Sequence, residues 1–297
     1  RDFKRTSYLN TMIYETAKNY KPDLILLGHS YDIESDTLEK IKDLSKKTVI
    51  SQWFEDHLAD TGPDFASNRK KLLKYDNFVT SNFITTHPST LDFLRKKKNF
   101  HYLPIPVDKN IEKLKIYENN NQINDVFFSM SHGVNRGKLK RDKQDERHNF
   151  ITDLITECPN IIFDIYGYNN REPVWAEDFY KVIVNSKMAL NLTRGKPLKY
   201  LTSNRIASLI GNGLLTFIDK RTQLSNFFNG NEVIFYSGLE DLANKINFYK
   251  SNDKKRINVA KKGRRKYFDL FECQKVANYI ISKSFNREIS KKLKWMD

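Results

Sequence analysis

Cysteine is nearly missing from this sequence. The 297 residues hold two, Cys158 and Cys273, and neither lies in a CxxC pair or beside a histidine. A disulfide scaffold and a structural zinc site are therefore excluded, and the usage fits a reducing compartment. Long hydrophobic runs are missing as well. The apolar runs are strand-sized, as at Leu24–Leu27, against the roughly 18 residues needed to span a bilayer. HExxH, GxSxG and the kinase signatures do not occur, and no DxD carboxylate pair follows an apolar strand. Hydrolytic metal chemistry and Ser–His–Asp catalysis have no candidate residues, and we expect no metal site.

Hydrophobic residues make up 39% of the chain and charged residues 29%, so low complexity and wholesale disorder are excluded. The length suits two domains of about 150 residues each. Lys and Arg total 51 against 36 Asp and Glu, a net charge of +15. The excess is uneven. Residues 1–110 hold 18 basic and 15 acidic side chains (+3), whereas residues 251–297 hold 14 and 5 (+9). A basic C-terminal end suits an anionic partner, whether nucleotide, lipid headgroup or nucleic acid; a merely solvated basic surface is the alternative.

Short apolar runs alternate with amphipathic stretches throughout, the pattern of a parallel sheet with crossover helices. The spacing predicts helix 3–19, with Tyr8, Met12 and Ala17 among its apolar positions, then strand 24–28, helix 36–44 and strand 48–52. Helix 67–74, strand 77–81, helix 87–96 and strand 100–103 follow. The polar, Asn-rich stretch 108–124 reads as an interdomain linker. The alternation then restarts: strand 125–129, helix 142–157, strand 161–166, helix 175–185, strand 188–192 and helix 204–210. Strand 214–218, helix 223–228, strand 232–236 and helix 239–250 follow, and residues 253–285 read as helical with basic decoration.

The expected fold class is therefore α/β: two tandem Rossmann-like, doubly wound domains facing a cleft. The boundaries are 1–107, a linker at 108–124, 125–285, and a basic tail at 286–297. The first domain is short by one or more β–α units, and the chain opens on Arg1 rather than Met. Further chain or a removed leader is expected ahead of it.

Several constellations could carry chemistry. In Tyr200-Leu-Thr-Ser-Asn-Arg205, any of Thr202, Ser203 or Asn204 can cap a helix that Gly211 and Gly213 later release. Arg205 falls in the first turn, where the helix dipole disfavours a cation unless an anion sits between them. Arg194, Lys196 and Lys199 crowd the preceding loop, so a phosphate is the expected ligand; pairing with a neighbouring carboxylate is the alternative. After strand 125–129 comes a loop with Gly133, Asn135, Arg136 and Gly137, whose N–H groups could approach a ligand, although it is neither GxGxxG nor a P-loop. Tyr166 and Gly167 end the next strand, where an aromatic ring could stack on a nucleobase. In the first domain, His29, Glu55, Asp56 and His57 follow strands and could bind sugar hydroxyls or act as a general base.

Taken in order, Asn185–Leu192, Ser203-Asn-Arg-Ile206, Gly213-Leu-Leu-Thr216, Asn231–Tyr236, Leu239-Glu-Asp-Leu242 and Asn258–Arg265 resemble the C-terminal half of bacterial group 1 glycosyltransferases. The resemblance is to the spore-maturation, CgeB-like branch with the GT-B fold, and Lys21–Ile25 and Tyr102–Asp108 extend it upstream. It implies metal-independent transfer of a sugar from a nucleotide-diphosphate sugar, UDP- or GDP-linked, with no resident cofactor. The acceptor would be a glycan, a lipid-linked molecule or a protein, in surface polysaccharide or glycoconjugate synthesis. Arg205 matches the arginine that contacts the donor diphosphate, with Ser203, Lys196, Lys199 and Arg194 around it. The matching glutamate, which in relatives holds the donor ribose, is Ser208 here, leaving nucleotide choice open. If configuration is inverted, Asp56, His57 or His29 would be the base. The expected location is cytoplasmic, with peripheral seating on the inner face of the membrane. Two other readings stand beside this one: a non-catalytic nucleotide-sugar-binding protein on the same fold, and a basic nucleic-acid-binding protein. Against the latter, Tyr267, Phe268, Phe271, Tyr279 and Phe285 sit at helix-core spacing, so no specific nucleic-acid partner is expected.

Overall fold

The computed structural model describes residues 2–60, 62, 64–131, 134–135, 138–139, 146–289 and 293–296. Its contacts divide the chain into two units, Arg1–Pro104 with Gln274–Asp297, and Ile105–Cys273.

The first unit is built on four parallel strands in the order β1 (Leu24–Gly28), β2 (Val49–Phe54), β3 (Ser81–Ile84) and β4 (Phe100–Tyr102). Helix α1 (Asp2–Tyr20) precedes β1, and α2 (Ser35–Leu44) and α3 (Phe65–Leu73) connect β1 to β2 and β2 to β3. Helix α2 buries Leu38 and Ile41, three residues apart on one face, and Leu38 joins a cluster with Leu27, Ile50 and Tyr75. Helix α1 docks differently from the sequence expectation. Tyr8 is 68% and Met12 49% exposed, while Ala17 and the polar Asn10 face inward. Asn10 carries the start of α2: its Oδ1 accepts from Glu34 N–H (2.8 Å) and the Thr37 hydroxyl (2.7 Å). A capping side chain thus comes from a neighbouring helix, which no local pattern can reveal.

Three further expectations shift. The strand expected at 77–81 forms four residues later, because Phe78 and Val79 pack as a turn beside Tyr75. The buried strand is instead polar, with Ser81 donating to the Lys283 carbonyl (3.1 Å) and Asn82 bonded to Gln52. The helix expected at 87–96 is two short 3-10 turns, Pro88–Thr90 and Asp92–Leu94, interrupted at the extended Leu91. Likewise, the helix expected at 223–228 is replaced by 3-10 turns at Lys220–Thr222 and Leu224–Asn226, split by Gln223 at φ 56°.

The second unit has the five-stranded parallel sheet β11-β10-β9-β5-β8. Its strands are β5 (Asn124–Ser129), β8 (Phe163–Tyr166), β9 (Ser186–Asn191), β10 (Leu215–Asp219) and β11 (Ile234–Tyr236), with a small hairpin, β6 (Val134–Asn135) and β7 (Lys138–Leu139), after β5. Both faces are covered, so the central strands read as apolar runs. Val126, Phe128, Met188, Leu190 and Phe217 pack under α4 (Glu146–Glu157), α7 (Leu239–Ser251) and α8 (Asp253–Phe271). Phe127, Ala189 and Leu214 pack on the other face with α5 (Ala176–Ile183) and α6 (Arg205–Gly211).

Residues 108–124 are no free linker. Ile116 and Tyr117 are buried, Ile116 N–H bonds the Asn212 carbonyl (2.7 Å), and Leu114 N–H bonds Asn212 Oδ1 (3.1 Å). Gly213, at φ +84°, makes room for the Tyr117 ring, which would lie 2.5 Å from a Cβ there. The C-terminal boundary moves too. Helix α9 (Cys273–Ser284) packs in the first unit, where the Ser51 hydroxyl donates to Ser284 Oγ (2.8 Å) and Tyr279 meets Phe83 edge-on. Within the expected basic tail, Trp295 is 3% exposed and packs edge-on against Tyr279, 4.8 Å between ring centroids. That segment is anchored by an aromatic contact.

Asp125 ties the second sheet to its helices. Its buried carboxylate meets Lys250 of α7 (2.7 Å) and Lys187 of β9 (3.3 Å), and accepts the Ile162 N–H (3.0 Å). Burial alone would raise its pKa, but that N–H and the two ammonium groups outweigh it and hold the carboxyl below its usual range. A depressed carboxylate pKa contributes stability above the unfolded value of about 4 and loses it as pH falls through the folded value. We expect Asp125→Ala to cost about 3 kcal/mol at pH 7, since it leaves two lysines without their partner. In urea melts the difference from wild type should shrink as pH is lowered below about 4.

Candidate functional site

In the second unit the chain starts in β5, runs to β8 on one side, then crosses to β9 on the other. The direction reverses between β5 and β9, and ligands of doubly wound sheets bind outside the carboxyl ends of the strands at such a point. Here those ends are Ser129 and Asn191.

Arg205 opens α6 at this place. One guanidinium N–H donates to the Leu192 carbonyl (2.6 Å), and the group lies 5.1 Å from the centroid of the Phe128 ring. Its Nε is enclosed and has no acceptor among the described residues. Asn191 is buried beside the same loop. Its Oδ1 accepts from the Ser203 hydroxyl (3.0 Å), while its Nδ2 is enclosed and also without a partner. Among the described residues, two enclosed N–H donors beside the carboxyl ends of β5 and β9 thus lack an acceptor. Desolvation, and then the charge of nearby Arg147, lower the Arg205 pKa to about 9, so it remains a cation at neutral pH. Arg147, in the first full turn of α4, is itself buried. Neither Asn191 nor Arg147 was singled out from sequence. One reads as a polar strand end and the other as ordinary helix decoration.

The remaining expected residues fall into several groups. Ser203 is beside the site, but it bonds Asn191 rather than capping α6; Asn204 is the capping position and its side chain makes no cap bond. Arg194, Lys196 and Lys199 lie on the loop from β9 to α6, with Lys199 Nζ over the Tyr200 ring (4.9 Å). Ser208 lies one turn along α6, 3.3 Å from the Tyr180 hydroxyl, which also donates to the buried Glu112 carboxylate (3.3 Å). Tyr166 is already covered, with the Arg171 guanidinium 3.6 Å over its ring and paired to Asp164 (2.6 Å). Gly167, at φ +75°, is required for backbone packing, since a Cβ there would stand 1.8 Å from the Met130 carbonyl oxygen. Gly133, Arg136 and Gly137 lie outside the described residues, and of Asn135 only the backbone, in β6, is described.

The first unit gathers its own polar cluster at the carboxyl ends of β1 and β2. His29 Nε2 is 2.7 Å from Glu55 Oε1, and the Tyr31 hydroxyl is 3.2 Å from His29 Nδ1 and donates to Asp56 Oδ2 (3.2 Å). Trp53 packs edge-on against His29, and Lys71 lies over the Tyr31 ring. Burial, then the Asp56 and Glu55 charges, push the Tyr31 phenol well above its usual range, so it stays protonated as a donor. His29 and Asp56 are thus joined through Tyr31, a residue the sequence reading passed over. His57 has a separate role, its Nδ1 accepting the Ala59 N–H (3.2 Å) in the following turn.

Among the described residues, no three His, Cys, Asp or Glu side chains are grouped to hold a metal, and no helix is long and apolar enough to cross a membrane. Tyr267, Phe271 and Tyr279 are buried, so these rings form no stacking platform for bases.

The family model described as glycosyl transferase-like matches residues 143–282. No curated protein matches the chain. Among solved structures, HepE from Anabaena in complex with UDP and glucose is similar at a TM-score of 0.64 and 13% identity, over 94% of this chain and 81% of that one. TarM from S. aureus, bound to Fondaparinux, alpha-GlcNAc-glycerol and UDP, is similar at 0.59 and 12%, over 91% and 58%. Sucrose-phosphate synthase from Thermosynechococcus elongatus is similar at 0.58 and 11%, over 96% and 78%. At such identities the likeness is one of fold: the chain has the GT-B fold, with two Rossmann-like domains.

Proposed function

We propose that this chain is a glycosyltransferase that takes a sugar from a nucleotide-diphosphate sugar, UDP- or GDP-linked, and passes it to a glycan, lipid-linked or protein acceptor. The observation that carries the reading is the pair of enclosed, unpartnered donors, Arg205 Nε and Asn191 Nδ2, at the switch point of the second sheet. A diphosphate supplies what both lack. In the reaction an acceptor oxygen forms the new bond to the anomeric carbon as the old carbon–oxygen bond breaks. The electron pair departs on the diphosphate, whose growing negative charge Arg205 and Asn191 stabilise, with Arg194, Lys196 and Lys199 adding positive potential. The acceptor proton goes to a base if configuration is inverted, and to the departing phosphate if it is retained. For the inverting case His29 is the base, held by Glu55 and Tyr31.

One observation favours a second reading, a nucleotide-sugar-binding protein without turnover. Ser208 stands where the resembled family has glutamate, and its hydroxyl is engaged by Tyr180.

A thermal-shift panel of UDP, GDP, ADP, CMP and TDP tests donor binding. A ligand that binds only the folded state stabilises it by about 2.7 kcal/mol at one hundred times its Kd. UDP or GDP should stabilise the wild type. Arg205→Met should abolish that shift while raising the melting temperature of the unliganded protein, because it removes a cation disfavoured by desolvation and by the Arg147 charge; the gain should be about 1 kcal/mol. A purely structural arginine would give the opposite sign in the unliganded protein.

Turnover separates the two readings. In a donor-consumption assay with an acceptor, Arg205→Met should fall by about 10²- to 10³-fold. His29→Gln should lose about 10²-fold or more while leaving the nucleotide thermal shift intact, if configuration is inverted. Nucleotide binding with no sugar transfer or donor hydrolysis by the wild type would favour the binding protein.

A further inference from the structure

The first unit has an open cavity of about 700 Å³ at the opposite end of its sheet from the His29–Glu55 cluster. Thr80 and Ser81 at the start of β3, and Lys98 and Asn99 just before β4, form one wall. Lys283, in the last turn of α9, with Asn286 and Arg287 just beyond it, forms the other. Since sheets of this kind bind substrates at the carboxyl ends of their strands, this amino-end cavity is separate from the site already described.

Its lining is cationic. Lys98, Lys283 and Arg287 bring three positive charges from different parts of the chain, against Glu288 as the one lining carboxylate among the described residues. None of the three cationic groups meets a carboxylate among the described residues; Arg287 packs on the Phe285 ring, 4.8 Å from its centroid. Converging like charges repel one another and cost stability unless an anion occupies the space between them. The Asn286 amide and the Thr80 hydroxyl add neutral donors, the mixture that phosphate oxygens accept. Ile289 and Met296 line the same cavity, giving an apolar wall beside the cations. Its volume lies within the range of small-ligand sites.

We infer that this cavity binds a phosphate-bearing anion, with Lys98, Lys283 and Arg287 as its cationic contacts and the Ile289–Met296 side receiving an apolar substituent. The same chemistry is met by an anionic lipid headgroup and by a soluble phosphate ester, and the experiment distinguishes them.

Two variants that remove equal charge are compared with the wild type. One is the triple variant Lys98→Ala/Lys283→Ala/Arg287→Ala. The other is a control, Lys254→Ala/Lys261→Ala/Lys262→Ala, on the exposed face of α8. Each is mixed with vesicles of 30% phosphatidylglycerol in phosphatidylcholine at low salt, and separately with glycerol 3-phosphate in a thermal-shift titration. A lipid source predicts that the cavity variant loses vesicle affinity by about a hundredfold, at about fivefold per cation, while the control keeps most of it. A soluble source predicts that wild type and control are stabilised by glycerol 3-phosphate and the cavity variant is not. Equal behaviour of the two variants in both arms overturns the inference. Circular dichroism checks that each variant is folded, and the single variant Lys98→Glu, in a surface loop, repeats the comparison if the triple variant is not. UDP or GDP stabilisation should be unchanged in the cavity variant, so failure here is distinct from failure of the donor site.

Discussion

A guanidinium whose Nε is enclosed by protein, with no acceptor among the described residues, is the constraint around which the second unit is arranged. Burying an unpaired cation is among the most costly things a fold can do, and structures keep such groups where function requires them. Arg205 is held in that condition by elements each fixed for other reasons. The sheet places the Leu192 carbonyl and the Phe128 ring against it, and α6 is seated by Leu209 in the apolar layer beneath. Arg147 adds a second buried positive charge rather than relieving the first.

Much of this architecture is legible in the chain. The strands of the second sheet are short apolar runs at regular intervals, because both faces are covered, and Val126-Phe-Phe128 could hardly be anything else. Arg205 is legible because a cation at the start of a helix defies the dipole. What the pattern misses shares one cause. The polar strand at Ser81–Asn82, the packed stretch around Ile116 and the anchored segment at Trp295 all owe their conformation to partners distant in sequence. The same holds at the site. Nothing about an asparagine ending a strand marks Asn191; its significance is an enclosed amide with no acceptor, a property of three-dimensional surroundings. Tyr31 is recognisable only once β1 and β2 set His29 beside Asp56.

The departure at Ser208 is intelligible on the same terms. Glu112 belongs to the stretch that composition marks as a linker, yet its carboxyl is buried against Gly211, where an added Cβ would stand 2.6 Å from its Cγ. Burial raises its pKa, and the Asp108 N–H and the Tyr180 hydroxyl offset part of that effect. The same Tyr180 hydroxyl meets Ser208. A glutamate at position 208 would bring a second carboxyl to a hydroxyl already shared with a desolvated one, and two such groups cannot both ionise cheaply. Serine contributes a neutral hydroxyl in its place. Glu112, from the 108–124 stretch, is the carboxyl that meets this hydroxyl beside α6, a contact that a motif read along α6 alone does not record.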